Sequence, residues 1–118
     1  MKIKIPNLKT VSPNLKEHWG KSSKRHSDQR LLLRCFLKMH LKPEILPCTI
    51  TLTRIAPRQL DYDNLVTSFK HCRDTIADML IPGLAFGRAD GDARITWNYE
   101  QRRDKAREYG VEVDIEQD

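Results

Sequence analysis

Three aspartates have the residue type and the spacing for divalent-metal chemistry. Asp61 and Asp63 are two residues apart, and Asp92 follows a glycine-bearing stretch further along the chain. Carboxylate oxygens are the ligands that a hard cation such as Mg²⁺ prefers, and Mg²⁺ usually keeps water sites that phosphate oxygens can occupy. Such a cation can activate water and polarise a phosphodiester. The three aspartates therefore predict a metal site that cuts a phosphate backbone.

Ordinary structural uses of the same residues remain open at this point. Aspartate is common at helix N-termini and beside glycine in turns, which suits Asp63 and the Asp-Gly-Asp at 90–92. A calcium-binding EF-hand is excluded, because Leu65 stands where that loop needs its next oxygen ligand. The four histidines lack zinc-site spacing, and no glycine-rich nucleotide-binding motif is present.

Charge is distributed unevenly along the chain. Residues 1–45 contain eleven Lys and Arg against three Asp and Glu, whereas the remaining residues contain ten basic and thirteen acidic side chains. A basic segment favours a polyanionic partner through counterion release, although a solvated basic surface without a partner has the same composition. Without a cation, the aspartates would repel such a partner.

The composition limits the class of protein. A chain of 118 residues that is 39% hydrophobic and 31% charged is expected to form one domain, residues 1–118, rather than a disordered segment. No apolar run is long enough to span a membrane, and residues 1–9 lack the core of a signal peptide. Cys35, Cys48 and Cys72 are expected to be reduced and buried. A cytoplasmic location is therefore expected, with no membrane partner.

The elements that must position the aspartates can be predicted from periodicity. Strands are expected at residues 2–5 and 48–55, and a helix from about 23 to 41 carries apolar residues at 32, 35, 36 and 39. A second helix begins at Asp61 or Asp63 and ends near Leu80, where Pro-Gly follows. Two alternating segments then suggest an antiparallel hairpin with a long charged loop. The order β-α-β-α-β-β predicts an α+β domain with a mostly antiparallel sheet and helices packed on it.

The second helix is expected to have an apolar and a polar side. Leu65, Phe69, Cys72, Ile76 and Leu80 fall on one side at 100° per residue, which predicts a buried face. On the opposite side, Asp63, Thr67 and Lys70 are expected to be partly buried towards a cleft. His71 on this side is interpreted as solvent-facing or as a phosphate contact rather than as a general base.

The motif around the aspartates resembles the RusA-type Holliday junction resolvases of bacteria and their phages. Leu60-Asp61-Tyr62-Asp63-Asn64-Leu65, a helix, and Asp90-Gly91-Asp92-Ala93-Arg94-Ile95 are similar to the core pattern of that family, and residues 57–100 carry the likeness. Ser12-Pro13-Asn14 is more loosely similar to a segment after the family's first strand.

The resemblance implies a homodimeric endonuclease that depends on Mg²⁺, with Mn²⁺ as a substitute, and uses no small-molecule cofactor. It implies symmetric paired nicks in four-way DNA junctions during recombination and repair, in a bacterial host and from a phage or prophage gene. Asp61, Asp63 and Asp92 match the essential aspartates, and Asp90 matches the acidic residue that precedes the third. The alternatives are a junction-binding or nucleic-acid-binding phage protein that retains the fold without catalysis, and a nuclease with less structural selectivity.

One position departs from the family pattern. The family's functional lysine commonly lies four residues after the second aspartate, where this chain has Thr67. Lys70 lies three residues further on the same helix side, so it is expected to offset phosphate charge during catalysis. The alternative is that Lys70 pairs with Asp74 one helical turn away.

Basic residues along the first half and near the end of the chain are the expected DNA contacts, since lysine and arginine bind phosphates. Trp19 lies among them and could stack at an open junction centre or fill the core. The predicted nucleic-acid-binding residues are Lys16, Lys21, Lys24, Arg25, Arg30, Arg34, Arg102 and Arg103.

Overall fold

Four strands form one mixed sheet in the spatial order β1-β4-β2-β3. The computed structural model describes residues 1–11, 19–105 and 107–118, with the backbone alone at 19 and 22. β4 pairs antiparallel with both β1 and β2, whereas β2 and β3 are parallel. The predicted α+β class and element order are confirmed. The strands are β1 (Lys2–Pro6), β2 (Cys48–Ala56), β3 (Ile95–Arg103) and β4 (Gly110–Gln117).

The predicted hairpin between β3 and β4 is wrong, because β2 lies between them. β2 has no exposed residue along its length, which suits a central position, whereas β3 exposes alternate residues and forms an edge. Ile50 of β2 is in register with Ile115 of β4 on one side and with Trp97 of β3 on the other. Parallel pairing of β2 and β3 requires a crossover, and the helices between them supply it.

The first helix, α1, spans Trp19–Leu37, so it begins and ends earlier than predicted. Among the side chains of α1 that the structure describes, Gln29, Leu33 and Leu37 are buried, whereas Cys35 and Phe36 of the predicted apolar stripe are exposed, as is Met39 beyond the helix end. The sequence offers two apolar stripes, and packing against α3 and β1 selects the other one. The prediction of three buried cysteines is therefore wrong for Cys35 and confirmed for Cys48 and Cys72.

The helix predicted from Asp61 or Asp63 to about Leu80 is divided in two. α2 spans Tyr62–Ser68 and α3 spans Lys70–Leu80, with Phe69 between them. Thr67 and Ser68 donate side-chain hydrogen bonds to the backbone oxygens of Asp63 and Leu65, a pattern that often bends helices. The predicted apolar side is nevertheless buried at all five positions, Leu65, Phe69, Cys72, Ile76 and Leu80.

The core lies between the sheet and the helices. Ile50, Leu52, Val111 and Val113 from the central strands are fully buried and belong to the same apolar cluster as Phe69 of the helical layer. The neighbouring edge strand turns Ile95, Trp97 and Tyr99 towards that cluster. Of the helices in the described ranges, none is long and apolar enough to cross a membrane. The shared apolar cluster thus packs the helices against the sheet.

Candidate functional site

Asp61 and Asp63 lie at the N-terminus of α2. Asp61 occupies the N-cap position with an extended backbone, but its side chain makes no capping hydrogen bond. Both residues are exposed, and so is Thr67 one turn later. The preceding residue, Leu60, is fixed by the Gln101 side-chain amide, which accepts from the Leu60 N–H and donates to its carbonyl oxygen. The two carboxylates are therefore presented to solvent at a firmly attached helix start.

Asp92 lies before the N-terminal end of β3 and is bound by Arg94. The Arg94 guanidinium donates to both carboxylate oxygens at 3.0 Å, and the Arg94 backbone N–H donates to Oδ1 at 2.9 Å. The hydrogen bond from the Arg94 side chain lowers the pKa of Asp92 to about 2. Asp92 is thus ionised and already occupied by a cation from its own turn.

The structure does not join the three aspartates in one cluster. Within the described ranges, no group of three or more His, Cys, Asp and Glu side chains is arranged to hold a metal ion. Leu60 is attached beside Gln101, whereas the Asp92 carbonyl oxygen accepts from the N–H of Ile95. Residues 95 and 101 are six steps apart on β3, about 20 Å along the strand. Asp61 and Asp92 thus approach from opposite ends of β3.

Lys70 and Asp90 are brought together. The Lys70 ammonium lies 3.1 Å from Oδ1 of Asp74 and 3.4 Å from Oδ2 of Asp90, so the predicted pairing with Asp74 is present. The hydrogen bond to Asp74 is the main reason that the pKa of Lys70 is raised. Asp74 itself is buried, and Lys70 is exposed. The expectation that Asp63, Thr67 and Lys70 are partly buried is wrong, because all three are exposed. The buried polar residue of this region is Asp74, which lies against Gly87.

Arg73 completes this charged cluster. Its Nε and Nη2 donate to Oδ2 of Asp90 at 3.1 and 2.8 Å, and its Nη1 donates to the Tyr99 hydroxyl at 2.5 Å. Its guanidinium carbon lies 5.6 Å from the centre of the Trp97 ring, and the Trp97 indole N–H donates to the Asp90 carbonyl oxygen at 3.0 Å. α3, the short 3-10 turn Ala89–Gly91 and β3 are therefore fixed to one another here.

The cluster determines the charge of Asp90. Burial by itself would raise the pKa of Asp90, but the hydrogen bond from Arg73 and the charges of Lys70 and Arg73 leave this pKa below its ordinary value. Gly87 suits this turn because its φ is +83°, a conformation that other residues rarely adopt, and it lies against Asp74 of α3. The negative charges of Asp74 and Asp90 are thus balanced by the positive charges of Lys70 and Arg73.

His71 lies on a different side of α3, against α1. Its ring stacks on that of His26 with centroids 3.5 Å apart, and it is half-buried rather than solvent-facing. Burial lowers the pKa of His71, and the charges of Arg30 and Arg25 lower it further against the opposing effect of Asp74. A second interhelix contact is the ion pair of Arg34 with Asp78 at 3.4 Å.

The predicted DNA-contact residues lie on separate surfaces. Lys21, Lys24 and Arg25 line one pocket beside the end of β1. Arg30 lies over the Phe86 ring at 4.7 Å, and Arg102 pairs with Glu112 at 3.1 Å. Arg34 and Arg103 are exposed. Lys16, Ser12-Pro13-Asn14 and the Trp19 side chain lie outside the described residues.

The sequence did not reveal that Arg73 and Tyr99 take part in the charged cluster or that Asp74 is buried. Arg73 and Asp74 lie on α3 beside Lys70, but Asp90 and Tyr99, the partners of Arg73, are 17 and 26 residues away. Gly87, which lies against Asp74, is 13 residues away. A signal was available in the i and i+4 spacing of Lys70 and Asp74.

No protein-family model, curated protein or solved structure matched this chain.

Proposed function

We propose that the chain is a metal-dependent, structure-selective endodeoxyribonuclease that resolves four-way DNA junctions by paired symmetric nicks. The observation that supports the proposal is one contact between the two parts of the aspartate motif. Asp61 and Asp63 lie at the start of α2, and Lys70 at the start of α3 lies 3.4 Å from Asp90 of the second part. The resemblance to RusA-type resolvases supplies the reaction and the substrate. The proposed location is the cytoplasm of a bacterial host cell, and the proposed origin of the gene is a phage or prophage.

The arrangement does not by itself accommodate the implied Mg²⁺. Asp61 and Asp63 are exposed, but Arg94 occupies both oxygens of Asp92, and the described residues form no three-carboxylate group. A complete site would need Asp92 to exchange Arg94 for the cation. Mg²⁺, when bound, would supply Lewis-acid chemistry at a phosphodiester. The chain's own contribution is Lys70, whose charge lies beside Asp90 and could offset developing phosphate charge.

The basic residues of α1 support DNA as the partner. Lys21 and Lys24 are exposed on one side of this helix, and Arg34 is exposed as well. Phosphate contacts of this kind position a protein on DNA without reading sequence, which suits recognition of a branch by shape. The four-way junction has twofold symmetry, so a homodimer is the proposed assembly, as paired symmetric nicks require.

The deciding experiment is metal-dependent nicking of a mobile four-way junction. Wild type is expected to nick opposed strands with Mg²⁺ or Mn²⁺ and to be inactive in EDTA. Asp63→Asn, which removes one charge from an exposed position, is expected to abolish nicking while binding persists. Asp104→Asn is the matched control, because Asp104 is also exposed and lies outside the motif. Nicking that survives in Asp63→Asn at the control's rate would overturn the proposal.

A second candidate is a junction-binding phage protein that retains the fold without catalysis. The occupation of Asp92 by Arg94 favours it, because a bound carboxylate is not available to a metal. In that case the junction is bound with the same salt dependence, and no strand is nicked at any metal concentration. Cutting of linear or single-stranded DNA at the junction's rate would instead identify a less selective nuclease.

A further inference from the structure

One face of α1 is exposed and has the spacing of a helix–helix contact. Asp28, Leu31, Cys35 and Lys38 follow one another at intervals of three, four and three residues, which is the spacing of the contact positions in a heptad repeat. All four side chains are exposed, and Leu31 is 64% exposed. Lys38 follows the last residue of α1, but its N–H donates to the Arg34 carbonyl oxygen at 3.1 Å and continues the helical turn. These four residues are named the α1 seam.

The α1 seam lies opposite the face of α1 that packs in the core. At about 3.6 residues per turn, its four members fall within an arc of about 80°. The buried residues Gln29, Leu33 and Leu37 are centred on the reverse side of the helix. Folding of one chain therefore leaves the α1 seam uncovered, and the exposed leucine within it would be stabilised by burial against a partner.

The pattern of the α1 seam complements itself when it is reversed. In an antiparallel pair of α1 helices, Leu31 of each copy lies against Cys35 of the other, and Asp28 lies against Lys38. Both pairings are centred on residue 33, so a single twofold axis generates all four layers. A parallel pair would instead place Asp28 against Asp28 and Lys38 against Lys38, and these like charges repel. The α1 seam thus specifies a second copy and its direction.

We propose that the α1 seam joins two copies of this chain in an antiparallel, twofold-symmetric dimer. The inference names the interface of the proposed homodimer and in that respect rests on the proposed function. Asp28 already lies 3.5 Å from Lys24, but these side chains are 61% and 81% exposed, so Asp28 has room to accept from the second copy as well. An interface of four layers is small, and small interfaces are typical of weak, reversible complexes.

The dimer leaves the basic N-terminal part of α1 accessible. Lys24 is one layer further from the twofold axis, opposite residue 42, where the helix of the second copy has already ended. Lys21 lies about one turn beyond it. With a rise of about 1.5 Å per residue, the two copies of Lys24 are about 27 Å apart along the paired helices. The proposed DNA contacts thus form one cluster at each end of the dimer, which suits a substrate with two equivalent halves.

Sedimentation equilibrium of the full-length protein in EDTA, without DNA, tests the interface. A dissociation constant on the order of 10 µM is expected for a complex of this size. Leu31→Glu should raise this constant by about tenfold or more, because two carboxylates would be buried in the central layers. The matched control is Leu84→Glu, since Leu84 is 51% exposed and lies outside α1. This control should change the constant by about twofold at most in about 0.15 M salt.

The outcomes of this measurement are distinct. Circular dichroism verifies folding, and Leu31→Gln replaces Leu31→Glu if folding is lost. A wild type that stays monomeric at about 0.5 mM would overturn the proposal, since even a weak interface associates at that concentration. A dimer that Leu31→Glu and Leu84→Glu weaken equally, or that neither weakens, would place the interface elsewhere and overturn it as well.

Exchange of the two charges tests the direction of the helices. Asp28→Lys and Lys38→Asp are each expected to weaken the dimer by about fivefold, since each places like charges in two layers. The two variants move the net charge in opposite directions, so a general effect of charge would weaken one dimer and strengthen the other. Asp28→Lys/Lys38→Asp restores opposite charges in both layers and should return the constant to within about threefold of wild type. A folded double variant that does not recover would refute the antiparallel register.

The two proposals fail separately. If the nuclease proposal is wrong, the junction remains intact under all metal conditions, yet Leu31→Glu still dissociates the dimer. If the α1 seam proposal is wrong, the seam variants sediment like wild type, whereas metal-dependent nicking continues. Asp63→Asn gives the same distinction in one protein, because Asp63 lies on α2, outside the α1 seam, and its replacement should leave the dimer intact.

Discussion

Replacement of Arg73 by methionine should destabilise the fold through Asp90. Methionine keeps an unbranched apolar side chain but removes both bonds to Asp90, the bond to Tyr99 and the guanidinium contact with the Trp97 ring. The Asp90 side chain is 10% exposed and that of Arg73 is 27% exposed, so the pair is largely shielded from water. Removal of one partner from a buried pair costs about 3–5 kcal/mol.

The expected loss is smaller than that range. Lys70 remains 3.4 Å from Asp90 and compensates part of its charge. A loss of about 2–3 kcal/mol in the free energy of unfolding follows, which at a urea m-value of about 2 kcal/mol/M lowers the unfolding midpoint by about 1 M or more. Equilibrium urea unfolding at pH 7, monitored by circular dichroism and by tryptophan fluorescence, measures this shift.

The matched control for Arg73→Met is Arg88→Met, which removes the same charge from an exposed position on the neighbouring turn. Arg88→Met is expected to alter the unfolding free energy by about 0.5 kcal/mol or less. A double-mutant cycle with Asp90→Asn should give a coupling energy of about 1–3 kcal/mol between Arg73 and Asp90. If Arg73→Met costs no more than Arg88→Met, the charged cluster does not hold the turn to α3, and the reasoning is refuted.

Three further predictions concern catalysis, pH and salt. Lys70→Ala should lower the nicking rate by about tenfold or more, because a charge near the phosphate is lost, with Lys4→Ala as control. Unchanged turnover removes Lys70 from the mechanism. His71 has a pKa below its unfolded value of 6.5, so the unfolded state takes up its proton first and stability should fall as pH drops below about 6.5. His71→Gln should flatten urea midpoints measured from pH 7.5 to 5, and an unaltered slope contradicts the assignment. Lys21→Ala/Lys24→Ala should reduce the salt slope of junction binding by about one to two units, and an identical slope would show that neither residue contacts phosphate.

Much of the framework was determined by the sequence itself. The alternation in residues 48–55 placed β2 within one residue of its observed end. The 100° periodicity predicted five positions from Leu65 to Leu80 that are all buried, although Asp74, Thr75 and Ala77 are buried as well. These features are local, because side chains return to the same face every two residues in a strand and about every 3.6 residues in a helix, whatever surrounds the element. The aspartate motif was likewise placed correctly at a helix start and before a strand.

Tertiary structure decided how those elements meet. β2 lies between β3 and β4 and has no exposed residue, but its alternation of apolar residues with threonine is typical of any half-buried strand. Local periodicity therefore does not predict the central position. α1 had two apolar stripes, and only its packing on α3 and β1 selected Leu33 and Leu37 over Phe36.

The charged groups depended on tertiary structure most of all. Lys70 had Asp74 within one helical turn, so that pairing followed from sequence, but the bonds from Arg73 to Asp90 and Tyr99 join segments 17 and 26 residues apart. Asp92 was predicted beside Asp61 and Asp63, whereas the local bond to Arg94 holds it in this structure. A carboxylate binds the nearest cation that the fold presents, so residue type determines what an aspartate can bind, and three-dimensional proximity determines what it does bind.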